Sequence, residues 1–219
     1  MATLRLAHRG DWRRAPENTI PALLAAMAVP GCDGVEIDVR ASLDGVPVLS
    51  HDETLERVWG RPERVDSLRT DALEAIGLPT LAEVLERLPR SAYLDVEFKG
   101  DPGRGAVEVL AAGRGAGLRG AVVSSFEAAT LERVAGLAPA WPRWLNTWDL
   151  EPSTVATAAA LGCRGISVAW SAIDQPGIRR ARVADLDLAA WTIRRRPTFR
   201  RLARLGAVAV CVEGPALDG

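Results

Sequence analysis

The feature that most constrains this chain is a strict alternation. Short, nearly continuous apolar runs of strand type are separated, from end to end, by stretches whose apolar residues recur at helical spacing. Eight strand-type runs can be placed, at 4–8, 34–39, 92–98, 121–125, 142–145, 165–169, 186–192 and 208–212. Helical patterns occupy most of the intervals, at 21–28, 81–88, 106–113, 128–137, 153–161, 177–184 and 198–205. Runs such as 207–212 have no polar face, which suits strands of a parallel sheet covered on both sides. Thr80 with Glu83 makes a capping-box pair at the start of one helix, and Gly113, Gly115 and Gly117 mark the exit of another. Eight strands alternating with helices in 219 residues predict an α/β fold of the closed (β/α)8 TIM-barrel type, at the compact end of its size range. The alternative is an open doubly wound sheet, disfavoured because no glycine-rich phosphate loop follows the first strand.

One interval, 39–92, breaks the rhythm. It begins as a hairpin around Leu43-Asp44-Gly45 and returns through the extended run 46–50. Residues 52–78 then read as a short excursion after the second strand, lying over the barrel mouth. With no linker, low-complexity segment or repeat beyond the strand–helix alternation, one domain over 1–219 is expected.

Composition limits the partners. A net charge of −1, from 27 basic and 28 acidic residues, supplies no bulk field for nucleic acid or a membrane surface. The clusters Arg179-Arg180 and Arg194-Arg195-Arg196 read as solvated helix faces. No apolar run is long enough to span a bilayer, and the first residues lack a signal-peptide pattern. Cys32, Cys163 and Cys211 are far apart, odd in number and in no metal-ligand spacing, so they read as buried thiols in a reducing compartment. The expectation is a cytoplasmic protein acting on a small molecule, with no nucleic-acid partner and no stable membrane insertion. Its oligomeric state is open.

Strand geometry turns spacing into chemistry. Side chains at i and i+2 share a face, so Glu36 points with Asp38, and Glu97 with Lys99. The intervening Ile37 and Phe98 are apolar and belong against outer helices, which turns the polar face into the barrel. Three carboxylates and an ammonium are costly to bury there unless compensated. One solution is a hard divalent cation, Mg²⁺ or Ca²⁺, held by Glu36, Asp38 and Glu97. The other is a set of internal ion pairs, Lys99 with one carboxylate and an arginine with another. Lys99 is the only lysine among the 27 basic residues, which suggests a place where a guanidinium does not serve. The only two histidines, His8 and His51, end the first strand and the hairpin arm, on the same rim. Their near-neutral pKa suits paired acid and base roles, with Arg9 and Lys99 as contacts for an anion.

The ordered segments His8-Arg9-Gly10, Pro16-Glu17-Asn18-Thr19, Asp33-Gly34-Val35-Glu36-Ile37-Asp38-Val39, Asp44-Gly45, His51-Asp52, Pro79-Thr80-Leu81 and Glu97-Phe98-Lys99 resemble the glycerophosphodiester phosphodiesterase family. The likeness continues through Ser124-Ser125-Phe126 and Trp191-Thr192. It implies a metal-dependent phosphoric diester hydrolase that releases glycerol 3-phosphate and an alcohol from a glycerophosphodiester. It also implies Glu36, Asp38 and Glu97 as metal ligands, His8 and His51 as the acid–base pair, and Arg9 and Lys99 as phosphate contacts. Glu17 and Asn18 would orient substrate or support the site, their other reading being a cap for the following helix. Trp191, and with it Trp148 and Trp170, would wall the pocket. A lysophospholipase-D-like activity, or a barrel kept only for binding, are the rival functions.

Two departures stand out. The resemblance calls for a Thr-Asp pair after the last strand, where this chain has Val212-Glu213-Gly214-Pro215, and Val208 stands where an aspartate is common. The last helix is expected to be vestigial. These changes place the eighth-strand side of the pocket in question, and with it the choice of substrate.

Overall fold

The computed structural model describes residues 2–101 and 103–219. Its strands and helices are β1 (Leu4–His8), α1 (Ile20–Met27), β2 (Gly34–Ala41), β3 (Pro47–Leu49), α2 (Glu56–Trp59), α3 (Thr70–Ala75), α4 (Leu81–Arg87), β4 (Tyr93–Phe98), α5 (Gly103–Arg114), β5 (Ala121–Ser125), α6 (Ala128–Leu137), β6 (Arg143–Thr147), α7 (Pro152–Ala160), β7 (Gly165–Ala169), α8 (Gln175–Val183), β8 (Asp187–Ile193), α9 (Arg196–Arg204) and β9 (Ala209–Val212). Eight of the strands run parallel, and the sheet closes because β1 pairs with both β2 and β9. The architecture is a (β/α)8 barrel, as the alternation predicts.

The remaining strand, β3, lies outside the ring. Beyond its pairing with β1, β2 continues to Ala41 and there takes β3 antiparallel, Val39 opposite Leu49 and Ala41 opposite Pro47. The Ser50 amide then donates to the Asp38 carbonyl at 3.1 Å, so the hairpin brings the chain back to the rim at residue 51. Here the hairpin expectation is met, although the paired arm is shorter than 46–50. The excursion that follows contains α2, a three-ten turn at Val65–Ser67 and α3, none of which the apolar spacing reveals. Val48, Leu55, Val65, Leu73 and Leu78 form a small core of its own.

Side-chain alternation divides the apolar residues into two layers. Ala7, Val35, Ile37, Val96, Phe98, Val123 and Val210 face outward into the large cluster shared with the helices. Leu6, Val122, Trp144, Ala189, Ala209 and Cys211 face inward and fill the barrel. Tyr93 and Trp144, both near the starts of their strands, stack with ring centroids 6.4 Å apart and close the lower end. Only the C-terminal end is left for polar side chains. Close strand contact at the base depends on Gly34, where a Cβ would lie 2.0 Å from the Tyr93 carbonyl oxygen. After β9 the described chain forms a three-ten turn, Gly214–Ala216, rather than a full helix. No helix among the described residues is long and apolar enough to cross a membrane.

Candidate active site

The inward positions of adjacent strands form the floor of the site. Parallel register sets His8 beside Glu36, Glu36 beside Asp95, and Asp38 beside Glu97. Glu36, Asp38, Asp95 and Glu97 are all buried. Ligand oxygens of Glu36, Asp38 and Glu97 lie within 4.8 Å of one another.

Both readings of this cluster have a physical counterpart. The ion pairs form: Lys99 Nζ lies 3.1 Å from Asp38 Oδ1 and contacts Glu97, while Arg9 Nε lies 3.0 Å from Asp38 Oδ2. They do not complete the site, because Glu36 Oε1 is buried with no hydrogen-bond donor among the described residues. Four carboxyl groups, Glu36, Asp38, Asp95 and Glu97, face two cations, Arg9 and Lys99, leaving an excess of two negative charges when all are ionised. The electrostatics reflect that excess. Burial, then the neighbouring carboxylates, raise the Glu36 carboxyl well above the usual range. Burial likewise raises Asp95 to about 7, against a hydrogen bond from Ser124, and Glu97 to about 7. Asp38 is the exception: despite burial, Arg9 and Lys99 hold it well below the carboxylate range. An all-oxygen donor set with excess negative charge around it and an unpartnered Glu36 oxygen fits a hard divalent cation.

The loop after β1 is shaped for this floor. Arg9 takes φ +59° and Asn18 φ +56°, left-handed conformations uncommon outside glycine. Between them Gly10 has φ +86° and packs where a Cβ would lie 2.7 Å from the Ala22 backbone. The strained pair is tied together by the Asn18 amide donating to the Arg9 carbonyl at 3.0 Å. Asn18 then braces Asp38 twice, its Nδ2 donating to Oδ2 at 2.8 Å and its Oδ1 accepting from the Asp38 amide at 3.2 Å. The capping alternative for Asn18 is corrected: Thr19 caps α1, accepting from the Ala22 amide. Glu17 accepts from Arg9 at 3.0 Å and from both terminal nitrogens of Arg57, at 2.9 and 2.5 Å, so it links the first loop to the excursion. Neither Glu17 nor Asn18 lines the pocket into which the two histidines open.

Each histidine is held by a carboxylate and an arginine. His8 Nδ1 is 2.6 Å from Glu213 Oε1, and Arg194 Nε donates to Glu213 Oε2 at 2.8 Å. His51 Nδ1 is 2.6 Å from Asp52 Oδ1, and Arg57 Nε donates to Asp52 Oδ2 at 2.5 Å. Arg40 fixes the loop from behind, donating to the His51 carbonyl at 3.0 and 2.8 Å. Burial above all, with Arg9 and Lys99, lowers the His51 pKa, against the pull of Asp38 and Asp52. For Glu213, burial is outweighed by the hydrogen bonds from His8 and Arg194, which hold its pKa down at about 2.

Above the floor a pocket of about 290 Å³ is lined by His8, Arg9, Glu36, His51, Glu97 and Lys99 on one side. Phe126, Trp148 and Trp191 face them. The three rings pack together, with Trp148 and Trp191 4.6 Å apart edge to face. Lys99 Nζ sits 5.7 Å from the Phe126 ring centroid. Trp191 and Trp148 thus lie where the sequence puts them, but Trp170 does not: it lines a neighbouring cleft with Arg194 and Arg195.

A model of the glycerophosphoryl diester phosphodiesterase family matches residues 8–217, nearly the whole chain. The chain belongs to that family. Its matches to named members of the family vary in extent. A glycerophosphodiester phosphodiesterase of Caldanaerobacter subterraneus is 35% identical over 113 residues, 45% of this chain and 46% of that protein's length. The Bacillus subtilis glycerophosphodiester phosphodiesterase is 27% identical over 249 residues, 98% of this chain and 84% of that one. Among solved structures, an Oleispira antarctica phosphodiesterase in complex with the product sn-glycerol-3-phosphate superposes with a TM-score of 0.85, at 26% identity over 99% of this chain and 95% of that one. The glycerophosphodiester phosphodiesterase of Thermotoga maritima has the same fold, with a TM-score of 0.84 at 23% identity, covering 100% and 96%.

Several pocket residues escape the sequence reading. Asp95 lies two positions before Glu97 and follows from the same i, i+2 rule, extended one step deeper. Asn146, Ser167 and Cys211 also line the pocket, each from a different strand, and no local signal marks them. Arg194, read as part of a solvated helix face, instead precedes α9 and bonds Glu213.

Proposed function

We propose that this chain hydrolyses glycerophosphodiesters to glycerol 3-phosphate and an alcohol, in one barrel domain over 1–219, with His8 and His51 as the acid–base pair. One observation carries the reading. Two supported histidines and two cations line one pocket at the C-terminal end of the barrel, over a buried all-oxygen carboxylate triad. That is the face where barrel enzymes place their chemistry. The family supplies the substrate class, and the product bound to the Oleispira relative fits it.

Glu36, Asp38 and Glu97 would hold one divalent ion, Mg²⁺ or Ca²⁺, which when bound polarises a phosphoryl oxygen and offsets charge building at phosphorus. Arg9 and Lys99, each already paired with carboxylates, share their remaining donors with the phosphodiester oxygens. The glycerol 2-hydroxyl is the first nucleophile, attacking within the same molecule with the advantage of a tethered group, and water then opens the cyclic phosphate. His51 is the base: its lowered pKa keeps it neutral, and the Nδ1–H bond to Asp52 leaves Nε2 free to accept the proton. His8 gives its proton to the leaving alcohol. Three thiols in no disulfide fit a cytoplasmic setting.

A second reading, cleavage of lysophospholipids, rests on the exposed aromatic rim: Trp148 is 69% and Phe126 38% exposed at the pocket edge, where an acyl chain could lie. Rates on glycerophosphocholine and lysophosphatidylcholine separate the two, and turnover of neither defeats both. For the acid–base pair, His8→Ala and His51→Ala should each lower turnover by roughly 10²–10⁴-fold. A diester with a p-nitrophenol leaving group, which departs without a proton, should restore much of the loss in His8→Ala only. Equal losses on both substrates would remove protonation by His8 from the mechanism.

A further inference from the structure

The backbone that closes the barrel also assembles a support for His8. The Glu213 amide donates to the Ile193 carbonyl at 2.8 Å, joining the ends of β8 and β9. That single bond sets the next residue, Arg194, beside Glu213, so Arg194 Nε reaches Oε2 at 2.8 Å while Oε1 turns to His8 Nδ1 at 2.6 Å. The Glu213 side chain is only 10% exposed, whereas Arg194 lies over it at 74%. A glutamate has one more rotatable bond than an aspartate, and Arg194 removes that freedom from the outside.

We infer that Glu213, anchored by Arg194, is the positioning residue of His8, holding its Nδ1–H and its ring plane so that Nε2 faces the reacting phosphodiester. The inference rests on the acid–base reading of His8 above. An ionised carboxylate can only accept, so the 2.6 Å contact requires a proton on Nδ1, and the proton that His8 gives to the leaving alcohol is a second one, carried on Nε2. Nε2 is thereby turned to the pocket, 3.8 Å from Glu36 Oε2. Without Glu213 the ring has no other hydrogen-bond partner for Nδ1 among the described residues. His51 has the same support built differently, from the adjacent Asp52 and from Arg57. The two histidines are therefore braced by matching arginine–carboxylate pairs, one local in sequence and one with its carboxylate 205 positions away. The aspartate-to-glutamate change after the last strand is accommodated by Arg194, so this side of the pocket is a working part of the site.

Steady-state kinetics of the ion-loaded protein on a glycerophosphodiester test this. A ring misplaced by about 1 Å costs on the order of 10²-fold in rate, so Glu213→Ala should lose about that in kcat with KM little changed. Arg194→Gln, which keeps the carboxylate but frees it, should lose roughly tenfold by the same argument. Arg195→Gln, with no bond into the site, should keep wild-type rates. In a His8→Ala background Glu213→Ala should add no further loss, because a residue acting only through His8 has nothing left to position. ¹⁵N shifts of the His8 ring should report a hydrogen-bonded Nδ1–H in the wild type and the loss of that bond in Glu213→Ala. Fully additive losses, or a kcat for Glu213→Ala equal to wild type, would overturn the inference. If Glu213→Ala does not fold, the Arg194→Gln kinetics and ring shifts decide alone. Wild-type turnover of His8→Ala would instead sink the acid–base reading itself, a distinguishable outcome.

Discussion

At Lys99 the residue census acquires a structural cause. Its ammonium lies between Asp38 and Glu97 and over the Phe126 ring, only 13% exposed. A compact point charge fits among carboxylates spaced for a cation, whereas a planar guanidinium is wider and directs its donors in one plane. Lys99→Arg should therefore lower kcat/KM by about 10²-fold at unchanged charge. Arg133→Lys should be neutral, because the Arg133–Asp101 pair lies on the exposed surface, where such pairs contribute ~0–1 kcal/mol. Wild-type kinetics for Lys99→Arg would mean that the lysine is there by chance. The strand rule that makes Lys99 and Glu97 face-mates needs only local geometry, which is why Glu36, Asp38 and Glu97 are legible from sequence. Asp95 obeys the same rule but lies deeper in the barrel, at a level otherwise filled by apolar side chains such as Cys211. The Glu213–His8 bond is not legible, since only ring closure brings residues 205 positions apart into contact.

Elements show a similar division between what is local and what needs tertiary contact. The Thr80–Glu83 capping box is read from four residues and forms as read: the Glu83 amide donates to Thr80 Oγ1 at 3.2 Å, and the Thr80 amide donates to Glu83 Oε2 at 2.8 Å. Thr80→Ala removes the hydroxyl and should cost about 1 kcal/mol. For a chain of this size that is a fall in Tm of roughly 2–4 °C, measurable by thermal unfolding with activity otherwise intact. An unchanged Tm would mean that the cap contributes nothing beyond its backbone. In contrast, α2 and α3 have no readable pattern, being four and six residues long and charged. The apolar residues of the excursion, Leu55, Val65, Leu73 and Leu78, are irregularly spaced and are gathered by Val48 on β3, a contact that no helical period encodes. Boundaries elsewhere shift by one to three residues, as at α9, which starts at Arg196 rather than 198 because Pro197 suits the first turn of a helix.

For the whole molecule, alternation of strand and helix is enough to specify the barrel, because eight parallel strands buried on both faces can satisfy their edges by closing. The barrel beneath the site is held by strand pairing and apolar packing, so the fold should survive loss of an ion from the rim. Treatment with excess EDTA should abolish turnover while leaving a cooperative unfolding transition and near-ultraviolet circular dichroism of the native form; a collapse of tertiary signal would make the ion structural instead. The central claim, that a divalent ion on Glu36, Asp38 and Glu97 serves glycerophosphodiester hydrolysis at this mouth, is tested most directly by ³¹P NMR of glycerophosphocholine. Protein stripped of metal should release no glycerol 3-phosphate, and addition of millimolar Ca²⁺ or Mg²⁺ should start its appearance in wild type but not in Glu36→Gln. The same rate of glycerol 3-phosphate release with and without the chelator, or none with either ion, would contradict the account.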